Sequence, residues 1–289
     1  MSSTAPFQDQ LAAAVLAASD AHGADWLNQA LGRLAASDDV DNELLNLSAA
    51  ARRKLGNQPF PDPSLALRTE QATLHFGHWN VGDAGRVVLL MQACRQQPDG
   101  DRRERLMFRS GDETERAAIV QALLLMDDPG ELKALALEAG RANSLALFGA
   151  IALDNPYPAL YYSDHEFNQI VLKSLFTGLS IARVQGLQER ANAELSKMSE
   201  DYIDEREAAA RSVPVDIWLA VAPFATDHGN ALLQRYLDHS QAEHRFYAAK
   251  ALSLCGRPGL LGDIDARLRH ESDPAVREVL AAAGDQSGD

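Results

Sequence analysis

Apolar residues recur at spacings of three and four along nearly the whole chain, which is the pattern of amphipathic helices. The N-terminal part shows this pattern in three runs: Leu11, Val15 and Leu16; Trp26, Leu27, Leu31 and Leu34; and Leu44, Leu45 and Leu47. Alternating runs of the kind that predict half-buried strands are absent, and β-branched residues are sparse. The pattern therefore predicts an all-α fold.

Helix start signals accompany this periodicity. An acidic cap followed by a proline, or by a glutamate three residues on, marks the beginning of a helix. These signals occur at Asp128–Pro129, at Asp273–Pro274 and at Asp112 with Glu115. The clearest break is the loop "GNQPFPDPS" at 56–64. We expect segments at 1–56, 65–155, 156–222 and 223–284, joined in one continuous structural domain.

Four arginines indicate an internal repeat. Arg86 and Arg116 lie 30 residues apart, and Arg245 and Arg277 lie 32 apart. Each falls near the start of a predicted helix with a small and aliphatic face, and "DPAVR" at 273–277 has the form that opens a helix of a HEAT repeat. Stacked helix pairs bury such faces on their neighbours. The repeat predicts a HEAT-like α-solenoid of antiparallel helix pairs.

A long central helix is expected over residues 183–211. This stretch contains no proline and one glycine, Gly186. Apolar or small residues repeat along it with helical spacing, from Val184 to Ala209. At 1.5 Å per residue the predicted helix is roughly 40 Å long.

The stretch "NPYPALYYSDHEFNQIVLKSLF" at 155–176 differs in composition from its surroundings. Its two prolines cannot continue a helix, and Ser163 with Glu166 predicts a capping box at the start of the next one. On that helix Asn168 projects into the apolar arc. A buried amide costs about 1–3 kcal/mol unless it is hydrogen-bonded. Asn168 therefore needs partners in a facing helix, the tyrosine-rich turn or a ligand.

Two interpretations of this amide stay open: a hydrogen bond that locks the turn, or a polar contact in an aromatic pocket. Tyrosines supply both an apolar wall and a hydroxyl group. The long helix is expected to run antiparallel to the helix that starts at Ser163. This arrangement would bring Tyr202 and Arg206, from the later part of the long helix, near the tyrosine-rich turn. The candidate ligand-binding residues are Tyr157, Tyr161, Tyr162, His165, Asn168, Gln169, Tyr202 and Arg206.

Charge and composition exclude several classes of function. The net charge is −14 and the isoelectric point near 5.0, whereas nucleic-acid binding needs a basic face. The basic clusters at 52–54 and 102–105 are interpreted as solvated helix ends. The N-terminus has no leader-like pattern, and no run approaches the ~20 apolar residues that span a bilayer. We expect a cytoplasmic protein that is not integral to a membrane.

Metal and cofactor chemistry is not indicated. His75 and His78 are three residues apart in what resembles a turn, and His165 and Glu166 point in different directions on a helix, whereas zinc needs three or four convergent ligands. Acidic clusters at 38–41 and 201–205 are similar to diphosphate–magnesium motifs of helical prenyl enzymes. The first is interpreted as a helix start and the second as an exposed face. No catalytic triad or phosphate-binding glycine loop is present, so no cofactor is expected.

Residues 155–219, from "NPYPALYYSDHEFNQ" to "VPVDIWL", closely resemble the EboA family. Genes of this family belong to a bacterial and algal-plastid cluster for making or moving a secondary metabolite. The resemblance implies a cytoplasmic helical protein that acts with a small-molecule pathway, and it carries no catalytic assignment. It is looser in the N-terminal part and in the HEAT-like C-terminal part.

Three functions are compatible with these observations. The first is a binding or scaffold protein that holds a pathway protein or an aromatic or isoprenoid-like metabolite. The second is an enzyme of that pathway with a pocket around 157–173 and 202–206, using Arg183 with Glu205 or Arg206. The third is a protein–protein scaffold with no small-molecule site.

Overall fold

A computed structural model describes residues 5–62, 64–96 and 102–286. The chain forms two compact units, Met1–Tyr161 and Tyr162–Asp289, each with its own packing. Sixteen α-helices lie in the described residues, with one short hairpin, which confirms the all-α class. The boundary between the units falls inside the predicted segment 156–222, and the four predicted segments stay a prediction.

The first unit contains nine helices and the hairpin within its described residues. Helices α1 to α3 are Ala5–Ala18, Ala21–Ala36 and Val40–Leu55, followed by β1 (Ala66–Arg68), β2 (Thr73–His75) and α4 (Val81–Gln96). Helices α5 to α9 are Arg103–Ser110, Glu113–Gln121, Lys133–Arg141, Leu145–Ala152 and Tyr157–Tyr161. Two 3-10 segments, Leu123–Leu125 and Pro129–Leu132, connect α6 to α7.

Helix α4 forms the centre of the first unit. It packs against α1, α2, α3 and α6, and its residues are buried nearly all round. Two of the buried residues are charged: Asp83 accepts hydrogen bonds from Arg52 (2.8 and 2.6 Å) and from Arg86 (2.7 Å), and Arg86 also donates to the Ser48 carbonyl (3.1 Å). Buried charges are stable only when they are paired in this way.

The hairpin corrects the expectation that strands are absent. Strands β1 and β2 pair antiparallel, with Ala66 opposite His75 and Arg68 opposite Thr73. Each strand has three residues, of which only the central one, Leu67 or Leu74, is buried. Three residues are too few for an alternating pattern to be recognised in the sequence.

The second unit contains seven helices in its described residues. They are α10 (Asp164–Thr177), α11 (Ala193–Ala208), α12 (Trp218–Val221), α13 (Asp227–Tyr236), α14 (Ala242–Leu254), α15 (Ile264–His270) and α16 (Pro274–Gln286). Helix α14 contacts α12, α13 and α16, and α15 packs on α16. Stacked helices of many folds share such contacts, so the HEAT-like solenoid stays a prediction.

Three of the four repeat arginines share one structural role. Arg245 donates to the carbonyls of His239 (2.8 Å) and Ser240 (3.1 Å), which follow α13. Arg277 donates to the Glu271 carbonyl (3.0 Å) after α15, and Arg116 to the Arg109 carbonyl (3.4 Å) in α5. Each arginine therefore satisfies backbone carbonyls at the end of the preceding helix or just beyond it.

The predicted long helix over 183–211 is wrong. A 3-10 turn spans Ile181–Arg183, turns follow, and α11 begins only at Ala193. Gly186 has a left-handed φ of 77°, and Asn192 caps α11 by accepting from the Leu195 amide (2.9 Å). The helix has 16 residues, about 24 Å in length. Residues 183–192 contain no proline, so the sequence did not reveal the interruption.

The structure confirms some of the predicted helix starts and not others. Capping boxes at Asp112 with Glu115 and at Ser163 with Glu166 are both formed, which confirms them. Asp273 accepts from the Val276 amide (3.1 Å) at the start of α16. Asp128 is not a side-chain cap. Its φ is 46°, and the segment after it is a single 3-10 turn.

Candidate functional site

The turn before α9 is held by a buried asparagine that the sequence did not single out. Asn155 donates to the carbonyls of Val120 (3.2 Å) and Ala150 (2.9 Å), and it accepts from the Tyr157 amide (3.0 Å). All three amide contacts are made inside the first unit. The Asn–Pro sequence was informative because it cannot extend α8.

Tyr157 and Tyr161 lie on α9 with their rings stacked, the centroids 4.7 Å apart. Tyr157 is fully buried and donates its hydroxyl to the Pro129 carbonyl (2.7 Å), and burial raises the pKa of this phenol. Tyr161 is half-buried and donates to Oε1 of Gln71 (2.7 Å). Both tyrosines thus have partners within the first unit, and Tyr161 is the more accessible of the two.

The candidates on helix α10 are buried or exposed as the helical periodicity predicts. Asn168 is fully buried among apolar residues, whereas His165 and Gln169 are exposed. Tyr162 is buried just before the Ser163 cap. The inward direction of Asn168 is therefore confirmed.

The partner of Asn168 is Asn192, which lies just before α11. The two amides exchange hydrogen bonds of 2.9 and 3.2 Å. Asn192 also donates to the Arg190 carbonyl (3.1 Å) while its Oδ1 caps α11. One amide pair thus fixes the start of α11 against the middle of α10.

Arg190 is a second residue that the sequence did not single out. Its Nη2 donates to the Tyr162 carbonyl (2.9 Å) and to Oδ1 of Asp164 (2.8 Å). Its guanidinium carbon lies 5.0 Å from the centre of the Phe167 ring, within the range of a cation–π contact. Residues 184–192 are therefore fastened to the first turn of α10.

Tyr202 and Arg206 form a separate pair on α11. The Arg206 guanidinium lies 5.8 Å from the Tyr202 ring and donates to the Ser212 carbonyl (2.8 Å). Tyr202 is ten residues beyond Asn192, about 15 Å along the helix. The prediction that Tyr202 and Arg206 lie opposite the start of α10 assumes a helix that begins at residue 183, whereas α11 begins at Ala193.

The eight candidates thus fall into three groups. Tyr157 and Tyr161 belong to the first unit. The second unit contains the α10 group, which is Tyr162, His165, Asn168 and Gln169, and the α11 pair of Tyr202 and Arg206. Arg183 and Glu205, considered for an enzyme, are both exposed. Whether the eight act together stays a prediction.

Two further properties bear on the kind of site. Within the three described ranges, no group of three or more His, Cys, Asp and Glu side chains lies close enough to hold a metal ion. Across the same ranges, no helix has the length and apolar character required to cross a bilayer.

Comparison with known proteins gives one match. The sequence model of a family described as "Metabolite traffic protein EboA" matches residues 7–222, about three quarters of the chain. Searches of the curated proteins and of the solved structures found no match. The matched range includes both tyrosines of α9, all of α10 and all of α11, and the chain therefore belongs to the EboA family.

Proposed function

We propose that this protein acts in metabolite traffic by binding a pathway protein or an aromatic or isoprenoid-like metabolite at the start of α10. Family membership supports the traffic role in general terms. The binding step, the eight candidate residues and a cytoplasmic location are our proposal.

The observation that carries the proposal is the amide pair between the buried Asn168 and the half-buried Asn192. A buried polar pair that satisfies both side chains restricts two elements to one arrangement. Together with Arg190, it holds residues 184–192 against α10, while His165 and Gln169 on the same helix stay exposed. Rigid support of this kind is what a binding surface requires.

The exposed side chains of this surface have free hydrogen-bonding capacity. Neither His165 nor Gln169 has a hydrogen-bond partner in the described part of the chain, although both lie on a well-capped helix. An imidazole and a primary amide together offer donors and acceptors to a carbonyl or hydroxyl group of a ligand. Phe167 and Tyr162, which are close to them in sequence, are buried.

The test is native mass spectrometry of the protein purified together with its pathway neighbours. We expect the wild type to retain a small molecule or a partner chain, and the double variant His165→Ala/Gln169→Ala to lose it. Gln234→Ala is the matched control, because Gln234 is also an exposed amide, on α13. Equal retention by wild type and double variant contradicts the proposal.

The same measurement separates the alternatives. A retained protein chain with no small molecule supports the protein–protein scaffold. A retained metabolite whose mass changes on incubation supports the pathway enzyme.

A further inference from the structure

A cleft of about 550 Å³ opens in the second unit among α14, α15 and α16. It lies beyond residue 222, where the family match ends. Its walls include Leu237, Val276 and Leu280, which are apolar, and its charged lining includes Arg245 and Arg267. Pockets for small molecules commonly have volumes of this order.

Arg245 is fully engaged by the protein. Its Nε and Nη2 donate to the two carboxylate oxygens of Glu271, each at 2.7 Å, and Nη1 donates to two backbone carbonyls. The hydrogen bonds from Arg245 lower the pKa of Glu271 to about 2. This ion pair is therefore neutral overall and forms part of the wall.

Arg267 is engaged by the protein through two of its three guanidinium nitrogens. Its Nε donates to the Leu261 carbonyl (2.6 Å), and Nη1 donates to the Leu237 carbonyl (3.3 Å) and to Oδ1 of Asp238 (2.6 Å). Its Nη2 has no hydrogen bond within the described residues. The Asp238 side chain is 72% exposed, and an exposed carboxylate of this kind is a weakly held counter-ion.

Two histidines supply further donors at the cleft. His239 accepts from the Gln241 amide at Nδ1 (3.1 Å), so its neutral ring carries the proton on Nε2. Its ring stacks on Tyr236 at 4.9 Å, which fixes its orientation. His270 is exposed and has no hydrogen-bond partner in the described chain. The remaining acid, Asp263, is occupied as the N-cap of α15.

We propose that this cleft is a second ligand site, for a small organic anion with an apolar body. The carboxylate of the ligand takes Nη2 of Arg267 and displaces Asp238, with His239 and His270 as additional donors. The apolar body lies against the aliphatic wall of the cleft. Planar guanidinium groups bind carboxylates through two parallel hydrogen bonds, and Arg267 is held in place for this by backbone carbonyls.

The first test compares 2-naphthoate with its neutral analogue 2-naphthamide, by amide chemical-shift changes in the full chain. We expect naphthoate to shift residues 237–239 and 266–272, and naphthamide to bind at least tenfold more weakly. Equal binding of the two probes overturns the proposal. Inorganic phosphate is the third probe, and binding as tight as that of naphthoate overturns the role of the apolar wall.

The second test uses variants with opposite expected effects. Asp238→Ala removes the competing carboxylate and should tighten naphthoate binding about threefold. His270→Ala removes a donor and should weaken binding by a similar factor, and Arg267→Gln should abolish it. Asp201→Ala is the control, because it also removes a largely exposed acid, from an ion pair on α11.

If Arg267→Gln fails to fold, the two exposed variants decide the question by themselves. Asp238→Ala binding no better than Asp201→Ala, or His270→Ala binding as well as wild type, contradicts the proposal. These substitutions all lie outside the surface at the start of α10. If the naphthoate tests fail, the proposed function at α10 is unaffected. If the native mass spectrometry test fails, the proposal for this cleft is likewise unaffected.

Discussion

At the scale of residues, the Asn168–Asn192 pair replaces what would otherwise be an apolar contact. An aliphatic pair would bury more apolar surface but would allow α10 and the start of α11 to slide, whereas two amides satisfy one another in a single register. Asn192 has the additional task of capping α11. One side chain therefore fixes both the position and the beginning of that helix.

Asn168→Ala should lower the free energy of unfolding by about 1–3 kcal/mol, because it leaves the Asn192 amide without its buried partner. Urea denaturation measures this loss. Gln169→Ala, an exposed amide on the same helix, is the control and should change stability by less than about 0.5 kcal/mol. Equal effects of the two substitutions would show that the amide pair contributes nothing.

His244 should make stability depend on pH. It is buried and accepts from Nε1 of Trp218 (3.2 Å), and burial, together with nearby His239, lowers its pKa to about 4. Its pKa in the unfolded chain is about 6.5, so the unfolded state binds the proton first as the pH falls. Stability is therefore complete above pH 6.5 and declines toward pH 4, by about 3 kcal/mol in total.

Urea denaturation of wild type and His244→Gln at several pH values between 7 and 4 tests this expectation. The variant should lose most of the pH dependence in this range. His228→Gln is the control, because His228 is exposed and paired with Asp204. If the slope of stability against pH is the same in wild type and His244→Gln, the buried neutral imidazole is not its source.

The sequence correctly predicted the direction of a side chain where helical periodicity determines it. The inward position of Asn168 follows from its place between Val171 and Leu175 on the helical arc. The identity of its partner does not follow, because that depends on where the next helix begins. Arg190 was missed for the same reason: in a continuous helix its side chain has no special role, and in a turn it reaches Tyr162.

At the scale of elements, local chemistry predicted helix starts better than helix continuity. Ser163 with Glu166 gives a capping box through hydrogen bonds within four residues, so the sequence alone is sufficient. The interruption at 183–192 depends on packing against α10, and the sequence of 183–192 does not predict that packing. The hairpin at 66–75 likewise depends on two buried leucines that pair across a short turn.

Gly186→Ala tests that interruption directly. Alanine at a φ of 77° should cost about 1–2 kcal/mol of stability, because the left-handed region is unfavourable for residues with a Cβ atom. Gly149→Ala is the matched control. Gly149 lies in α8 with open space beside it, so there alanine should stabilise the protein by about 0.5–1 kcal/mol. Thermal unfolding separates the two signs, and a stabilising Gly186→Ala would favour a continuous helix.

At the scale of the whole molecule, both the net charge of −14 and the pairing of the basic residues determine how the protein interacts with charged partners. The clusters at 52–54 and 102–105 were interpreted as solvated helix ends, which is only partly right. Arg52 binds Asp83 through two hydrogen bonds, and Arg103 is buried and donates to Asp41 (2.6 Å). Folding therefore pairs one arginine of each cluster with an acid that is distant in sequence.

The net charge of −14 and these ion pairs lead to the last prediction, that the protein does not bind nucleic acid. Phosphate contacts require free cationic groups, and non-specific binders typically show dissociation constants of about 1–100 µM at physiological salt. Fluorescence anisotropy of a labelled duplex should therefore stay unchanged up to roughly 100 µM protein in 0.15 M salt. Lowering the salt should not produce binding, because the paired arginines stay engaged by their carboxylates. Binding whose affinity falls steeply as salt is raised would show instead that these arginines leave their acids to reach phosphate.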